Sequence, residues 1–566
     1  MYILGIAGWN DRGHDASATL LKDGKIVAAV EEEKLIRKKY SYDTLPHNSI
    51  KYCLDVAGIG VNEIDHVAVY WDWPYHYKIR GMTDRLDEST LPEQIFPRTM
   101  FDYGKSPRIS FIEHHLSHAS SAFRVSGYDK SAIVVADGQG EDVSTSLWYG
   151  DGNQIKLVRK IGIPDSLGYF YEASTGFVGL EPNEPGKTMG LAAYGRRRMS
   201  LSDAFTTNGK SYRSNINRSG IVLGKDGVSD EETQIREQWV KLFSSRFGRA
   251  NAPSFIYDQD AKKFARETIM TPVYMDAAAS AQAIVEDMML YLAKIAVEET
   301  GSKNLSLSGG VGLNCVANGK ILRSGIVDDI FIQPAANDAG CSMGAALELY
   351  SRLGYNARTI IPNVYLGPAF SEEAIERELL SLKIPFKYQD DPEGMAAQLI
   401  TNGKIVGWFQ GGMEWGPRAL GNRSILADPR NPDMKNRLNE AVKYREWYRP
   451  FGPSMLDEAA ANYLEQPHSS PYMILGFDVR KDRAGDIPAV VHVDGTTRPQ
   501  TVDKKSNPRY RKLIENVGEI TGVPVVVNTS LNVKGEALVC SPRDALRTMY
   551  GSGMDYLFIG DFMIEK

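Results

Sequence analysis

Cysteine is scarce in this 566-residue chain, and the four present (Cys53, Cys315, Cys341 and Cys540) stand far apart with no paired spacing. That excludes a disulfide framework and a thiolate zinc site, and it suits a reducing compartment. Long apolar runs are missing too: nothing approaches the roughly 18–20 residues of a membrane span. The first stretch, MYILGIAGWND, has no basic leader and turns polar after Ala7, so it reads as a strand and not as a signal peptide. Excess charge of one sign is also absent. A net charge of −6, with 24% charged and 43% hydrophobic residues, belongs to a soluble globular protein. It argues against a nucleic-acid scaffold and against a binder of anionic membranes. The expectation is a cytoplasmic protein, too long for one core and divided into domains.

What the chain does contain is a repeated grammar. Tyr2 to Ala7 is a short apolar run, followed by a polar loop, Gly8 to Asp15, and then by two runs flanking Asp23-Gly24. Asp-Gly between apolar runs signals a hairpin. Later, Ser131 to Ala136, the loop Asp137 to Asp142, Val143 to Tyr149, the turn Gly150 to Asn153 and Gln154 to Val158 repeat it. A strand, a polar loop and a hairpin occurring twice predict a duplicated α/β domain. The duplication resembles that of actin, Hsp70 and the sugar kinases, which grip nucleotide phosphates between two such hairpins.

The densest chemistry lies at Phe111 to Asp142. Three of nine histidines sit there, and His114 and His118, four apart, share one face of a helix. Asp137 ends the following apolar strand, where α/β proteins keep polar chemistry. Two imidazoles with one or two carboxylates suit Fe, Mn or Zn. The competing reading is a helix of satisfied histidines beside a core strand.

Further along, Gly186-Lys187-Thr188 imitates a phosphate loop, but the Walker spacing needs a glycine at position 181, which is Glu. Lys187 could still stand near an anion at a helix start. Asp276 to Glu299 predicts a long helix ended by Gly301. A strand then enters Ser308 to Asn314, where Gly309, Gly310 and Gly312 would let backbone amides approach a nucleotide, or else form a tight turn. Asp338 is a second acid at the end of a strand. Residues 71–110 read as an irregular surface insert, with part of a substrate wall as the alternative, and 200–265 as a polar insertion. Periodicity breaks around 354–370, at Pro362, Gly367 and Pro368, which sets two domains, 1–355 and 366–566.

The second part is rich in arginine: Arg418, Arg423, Arg430, Arg437, Arg445 and Arg449, with Lys435 and Lys443, lie between 411 and 455. Interspersed carboxylates fit a salt-bridged surface. Arg418 and Arg449, however, adjoin rigid Pro/Gly backbone, as does Arg498, and such positions fix a guanidinium fork for a planar oxyanion. Asn528 and Ser530 occupy a polar loop after the strand Val523 to Val527. Together these favour a phosphate-binding second site.

In order and number, these motifs resemble the O-carbamoyltransferases, the nodulation-factor and antibiotic-tailoring enzymes. The resemblance spans essentially the whole chain. It rests on Gly13-His14-Asp15-Ala16-Ser17, Glu31-Glu32-Glu33-Lys34, His114-His115-x-x-His118 and Asp137-Gly138-Gln139-Gly140. It continues through Pro185-Gly186-Lys187, Ser308 to Asn314, Gly416-Pro417-Arg418-Ala419-Leu420-Gly421, Arg449-Pro450-Phe451 and Asn528-Thr529-Ser530. It implies an N-terminal domain of the duplicated actin/Hsp70 type, similar to tRNA threonylcarbamoyl transferases, and a YrdC-like C-terminal domain. It also implies a metal, Fe(II) in first place with Mn or Zn open, on His114, His118, Asp137 and Asp338. The Gly309–Gly312 loop and Asn314 would hold the adenine nucleotide.

The activity so implied is ATP- and Mg2+-dependent. Carbamoyl phosphate becomes carbamoyl-adenylate in the C-terminal half, where Arg418, Lys443, Arg449 and Arg498 neutralise phosphates and Asn528 and Ser530 hydrogen-bond the carbamoyl group or the nucleotide. The N-terminal half then carbamoylates a hydroxyl of a small secondary-metabolite-type acceptor, with His14 as base. A homodimer is compatible with this; nucleic acid and membrane are not expected partners. Two other readings compete: a tRNA threonylcarbamoyl-type transferase, and a non-catalytic, nucleotide-gated binding protein of the actin/Hsp70 type. Net negative charge and the fused C-terminal half weigh against the first; the arginine-rich second domain and the clustered His/Asp ligands weigh against the second.

Overall fold

The small and branched apolar residues of Tyr2–Ala7 form β1, buried along nearly its whole length. Asp23 and Gly24, both at positive φ, turn the chain between Ser17–Lys22 (β2) and Lys25–Glu31 (β3), the backbone that an Asp-Gly hairpin demands. These three strands pair antiparallel. His66–Val69 (β4) joins β1 in parallel, and Arg108–Phe111 (β5) joins β4 in parallel. The sheet order is β3-β2-β1-β4-β5.

This is a computed structural model, and it describes residues 1–10, 13–219, 221, 231–252, 254–258, 263–267, 270–361 and 363–566. Asp11 and Arg12 of the first polar loop, Pro362 at the expected boundary and parts of the 200–265 insertion lie outside the described residues. The chain divides into two compact units. One comprises 1–71, 88–127 and 332–566; the other comprises 72–87 and 128–331.

The second unit repeats the first sheet. Lys130–Ala136 (β6), Val143–Asp151 (β7) and Gln154–Gly162 (β8) form the antiparallel meander. Asn304–Ser308 (β9) joins β6 in parallel, with Asp329–Ile332 (β10) beyond it, in the order β8-β7-β6-β9-β10. Strand for strand, this is the topology of the first sheet. The duplicated α/β architecture of the actin/Hsp70 type, expected from the sequence, is present. Pro272–Thr300, a helix stopped at Gly301 as expected, packs on β6. In the first unit His114–Phe123 and Ala339–Arg352 pack on each other, and the latter also covers β1 and β2.

The first unit carries a further, eight-stranded mixed sheet. Its strands are Lys387–Tyr388 (β11), Val406–Phe409 (β12), Arg423–Ala427 (β13), Gly452–Leu456 (β14), Gln500–Val502 (β15), Val525–Ser530 (β16), Tyr556–Ile559 (β17) and Phe562–Glu565 (β18). They run in the order β11-β18-β17-β12-β13-β16-β14-β15. Helices Pro392–Thr401 and Pro508–Thr521 pack together beside it.

Two stretches differ from their sequence reading. Within 71–110 lie the short helices Trp73–Ile79 and Leu91–Ile95, each opened by a proline in its first turn. Within 200–265 lies a 17-residue helix, Glu231–Phe247. Its buried stripe, Ile235, Trp239 and Phe243, is one residue wide, too narrow to stand out against a polar background. Among the described residues no helix is long and apolar enough to cross a membrane.

Candidate functional site

The helix His114–Phe123 is buried along all ten residues, so its histidines face protein on every side. In the first unit, His114 Nε2 and His118 Nε2 stand 3.6 and 3.5 Å from the same oxygen, Asp338 Oδ1. The imidazoles meet edge to face at 4.6 Å, and Trp71 lies 4.4 Å from His114, centroid to centroid. Asp338 stands at the N-cap position of the helix Ala339–Arg352 without a side-chain capping bond, and Cys341, one turn on, has a ligand atom within 4.8 Å of both imidazoles. Ligand atoms each about 2.1 Å from one ion stand about 3–3.4 Å apart. The separations here exceed the usual N–H···O length and come close to that spacing. The two imidazoles and the Asp338 carboxylate form a donor set that fits a transition-metal ion, while the Cys341 thiol groups with the imidazoles separately from Asp338. Asp137, the fourth residue of the expected set, belongs to the second unit.

His14 sits on an exposed turn of the first unit, its Nδ1 3.1 Å from Asp15 Oδ2. Asp15 is at φ +52, and the segment opposite holds Arg37, Tyr40, Ser41 and Asp43 at positive φ as well. That run is fixed by cross-bonds: Asp15 N–H donates to Tyr40 O at 2.7 Å, Ala16 N–H to Ser41 Oγ at 2.9 Å, and Asp43 N–H to Gly13 O at 2.8 Å. Strain held this firmly is characteristic of functional turns. The Asp15 carboxylate thus fixes the orientation of the His14 ring through Nδ1. Burial first, and then Asp338, Cys341 and Asp15 nearby, raise the Tyr70 phenol well above the ordinary tyrosine value. The His14 turn and the histidine cluster thus both lie near Tyr70 within one unit.

In the second unit, Asp137 Oδ1 accepts from Gly310 N–H at 2.9 Å, so the strand-end acid and the glycine loop meet. Gly309 is at φ +90, and a Cβ there would lie 2.2 Å from Ala136 O, so only glycine fits. Gly312 closes the turn with its N–H on Gly309 O at 2.8 Å. Asn314 caps the next helix through Ala317 N–H at 3.1 Å and trades amide hydrogen bonds with Gln282. Lys187 lies in the first turn of the helix Pro185–Ala192, ion-paired with Glu184.

The basic residues of the C-terminal half separate into three kinds. Arg423 is wholly buried and structural: it donates to the carbonyls of Gln410, Gly411, Asn422 and Pro368 and stacks on Phe409. Arg430, with Asp428, and Arg437, with Asp555, pair locally. The third kind converges. Lys443 is buried, its ammonium donating to Ser530 O at 2.6 Å, Ser530 Oγ at 3.2 Å, Asn532 O at 2.9 Å and Asn532 Oδ1 at 2.6 Å. Desolvation, then Arg445, Arg449 and Lys39, push it well below the usual lysine value. Arg445 is likewise held well below its ordinary value by burial and then by Arg449, with Arg498 adding to it. Arg445 and Arg449 meet at Asn439, which accepts from Arg445 Nε at 2.6 Å and donates to Arg449 O at 3.2 Å. Lys443 and Arg498 lie within electrostatic reach of this pair, and Lys39 within reach of Lys443. Arg445 and Lys39 carried no role in the sequence reading. The first is hidden among many arginines; the second is distant in sequence and reaches the cluster only through the fold.

Asn528 is buried and spends its amide on Ala419 O at 3.1 Å, Ser454 Oγ at 2.9 Å and Gln500 Oε1 at 3.1 Å. Gln500 in turn donates to Leu420 O at 2.9 Å. Both thus support the loop bearing Arg418, which is itself half-buried.

A family model described as the carbamoyltransferase N-terminus matches residues 2–347, and one described as the carbamoyltransferase C-terminus matches 397–566. The nodulation protein NolNO of Sinorhizobium fredii is 38% identical over 571 residues, covering 98% of this chain and 79% of its own. A protein of Synechocystis is 37% identical over 621 residues, covering 100% of this chain and 97% of its own. Among solved structures, component A of the Acidaminococcus fermentans (R)-2-hydroxyglutaryl-CoA dehydratase covers 63% of this chain and 100% of its own at 14% identity. Its TM-score of 0.33 is too low to bear on the chemistry.

Proposed function

The chain belongs to the carbamoyltransferase family, a transferase of the carbamoyl group, and we propose that it works through a carbamoyl-adenylate. Carbamoyl phosphate is an anion whose carbonyl carbon is a modest electrophile toward an alcohol. Conversion to the adenylate, with Mg2+-bound ATP releasing pyrophosphate, supplies a better leaving group. Over the whole sequence, carbamoyl phosphate, ATP, water and an alcohol give the carbamate ester, AMP, pyrophosphate and phosphate. The acceptor in this reading is a hydroxylated small metabolite.

The observation that carries the reading is the convergence of Lys39, Lys443, Arg445, Arg449 and Arg498. Cations that depress one another's proton affinity raise the energy of the empty site and lower it when a polyanion arrives. Adenylate formation is therefore assigned to the C-terminal half, residues 366–566, read as YrdC-like, with Arg418 and Ser530 at its edge. Transfer is assigned to 1–355. There His14 Nε2, oriented through Asp15, takes the proton of the acceptor hydroxyl. His114, His118 and Asp338 would hold Fe(II), Mn or Zn, and Asp137 enters as a further donor on the strength of the sequence alone. When bound, such an ion would supply Lewis-acid polarisation of an acyl or phosphoryl oxygen. Gly309, Gly310, Gly312, Asn314 and Lys187 are the proposed nucleotide contacts of the second unit.

The test is pyrophosphate release from ATP with and without carbamoyl phosphate, in wild type, Arg449→Ala and His114→Ala. The expected result is carbamoyl-phosphate-dependent release in wild type and loss in Arg449→Ala. His114→Ala should keep the release but fail to carbamoylate an acceptor. Release indifferent to carbamoyl phosphate would sink the adenylate reading.

A further inference from the structure

The Glu31-Glu32-Glu33-Lys34 run has no place in the chemistry above, yet all four side chains are engaged. Glu32 is buried and accepts from Ser49 N–H and Ser49 Oγ, each at 2.7 Å, and from Asn48, at the start of the helix His47–Ala57. Glu33 accepts from Tyr40 N–H at 2.7 Å, below the His14 turn. Glu31 and Lys34 do something else. Lys34, 1% exposed, donates to Glu31 Oε1 at 2.9 Å and then to two carbonyls 380 residues away, Glu414 O at 2.7 Å and Gly416 O at 2.8 Å. Glu31 Oε1 also accepts from Gly416 N–H at 2.7 Å. The two side chains thus satisfy both backbone groups of Gly416. That residue stands at φ +98, and a Cβ on it would come within 2.7 Å of Pro334 O.

Two positions beyond Gly416, across the rigid Pro417, stands Arg418. On its far side the chain is fixed as firmly. The Ala419 and Leu420 carbonyls accept from Asn528 and Gln500, and the Leu420, Asn422 and Arg423 amides converge on Glu414 Oε1 at 2.8–3.0 Å. Glu414 is wholly buried. An arginine whose backbone is held on both sides has little freedom except in its own side chain, which is what bidentate recognition of an oxyanion requires.

We infer that Glu31 and Lys34 are positioning residues for the C-terminal anion site, acting through the backbone of Gly416-Pro417-Arg418. The inference rests on the reading that Arg418 contacts a phosphate. It gives the acidic-basic run of the N-terminal domain a task in the half-reaction of the other domain. Removing the ammonium leaves two buried carbonyls and one carboxylate without their donor, and the loop must shift to regain partners.

The experiment uses the full-length protein and four variants: Lys34→Met, Glu31→Gln, Arg418→Ala and the double variant Lys34→Met/Arg418→Ala. The readouts are KM and kcat for carbamoyl-phosphate-dependent pyrophosphate release, and hydrogen exchange of the amides of 414–423. Lys34→Met should raise KM for carbamoyl phosphate by about 10- to 100-fold, the cost of misplacing a positioned group by about 1 Å. It should speed exchange at Leu420 and Asn422, and the double variant should be no worse than Arg418→Ala alone. Glu31→Gln leaves the buried Lys34 ammonium without its counter-charge, so it should raise KM and speed exchange in 414–423 in the same direction as Lys34→Met; it also serves where Lys34→Met does not fold. Unchanged exchange in 414–423, or losses that multiply in the double variant, would overturn the inference. If Arg418→Ala leaves KM unchanged while Lys34→Met still loosens the loop, the phosphate role of Arg418 fails and the holding of the loop stands.

Discussion

Filling the cationic cluster with an anion should stabilise the protein, and the size of the effect can be worked out. A ligand at 100 times its Kd that binds only the folded state contributes about 2.7 kcal/mol. The cluster lies in the first unit, which holds 1–71 and 88–127 together with 332–566, and for a cooperative unit of that size each kcal/mol moves Tm by about 1–2 °C. Pyrophosphate at that level should therefore raise the transition of this unit by about 3–5 °C. Arg449→Ala removes one charge-assisted contact, worth about 1.5–3 kcal/mol of affinity. At the same pyrophosphate concentration the stabilisation drops to about 0.3–1.3 kcal/mol, or about 0.5–2.5 °C. Without anion the sign reverses. Arg449 depresses both Lys443 and Arg445, while its own partner, Glu446, is 3.6 Å away at a partly exposed site and contributes little. The empty variant should melt at or above the wild-type temperature. The assay is thermal unfolding at fixed ionic strength, with and without pyrophosphate, and with sodium chloride as the screening control. A wild-type rise that chloride reproduces, or that Arg449→Ala shows in full, would refute the reasoning.

Two further outcomes follow from the His14 turn. Asp15→Asn keeps a residue that tolerates φ +52 but replaces a charge-assisted hydrogen bond with a neutral one, a loss of about 1 kcal/mol at this half-exposed histidine. Carbamoyl transfer should slow by about 3- to 10-fold while pyrophosphate release is unchanged; equal losses in both steps would remove Asp15 as the orienting acid. Glu33 is pushed up to about 7 by burial and then by Asp15. Between its unfolded value of 4.5 and about 7 the folded protein keeps a proton that the unfolded chain gives up, so stability falls as pH rises through that window. Relative to Glu33→Gln, wild type should lose about 1–2 kcal/mol from pH 5 to pH 7.5 in urea denaturation, less than full burial would give because Glu33 keeps some solvent contact. Parallel pH curves would remove Glu33 from the account.

The parts of this molecule that announce themselves in sequence are those whose signals are local. The two meanders could be read because Asp23-Gly24 and Gly150 to Asn153 are short-range turn chemistry between apolar runs, and His114 and His118 because four residues make one helical turn. The eight-stranded sheet was mostly illegible. Its neighbours β12 and β17 are about 150 residues apart, and nothing near Val406 or Tyr556 names the partner. Charge was the least legible of all. Arg423 and Arg449 look alike as letters, yet one is wholly buried under four carbonyls and the other stands half-buried in a field of like charge. Burial and partners are decided by the whole fold, and a local window contains neither.

The ion pair at Gly416 sharpens the point, because adhesion alone did not need it. Val30, Met413, Ala419, Leu538 and Cys540 already form an apolar cluster there, with Leu35 and Tyr52 packed against it. Replacing a buried ion pair by apolar residues is often neutral or stabilising. An apolar contact, however, is indifferent to sliding by a residue, since one methyl packs nearly as well as the next. Lys34 is not indifferent: its ammonium bonds two carbonyls spaced two residues apart, and Glu31 bonds the N–H of the second. A shift of the loop by one residue would strand a buried charge at a cost of about 3–5 kcal/mol. The cluster supplies adhesion and the ion pair supplies register, and register is what an arginine aimed at an oxyanion requires.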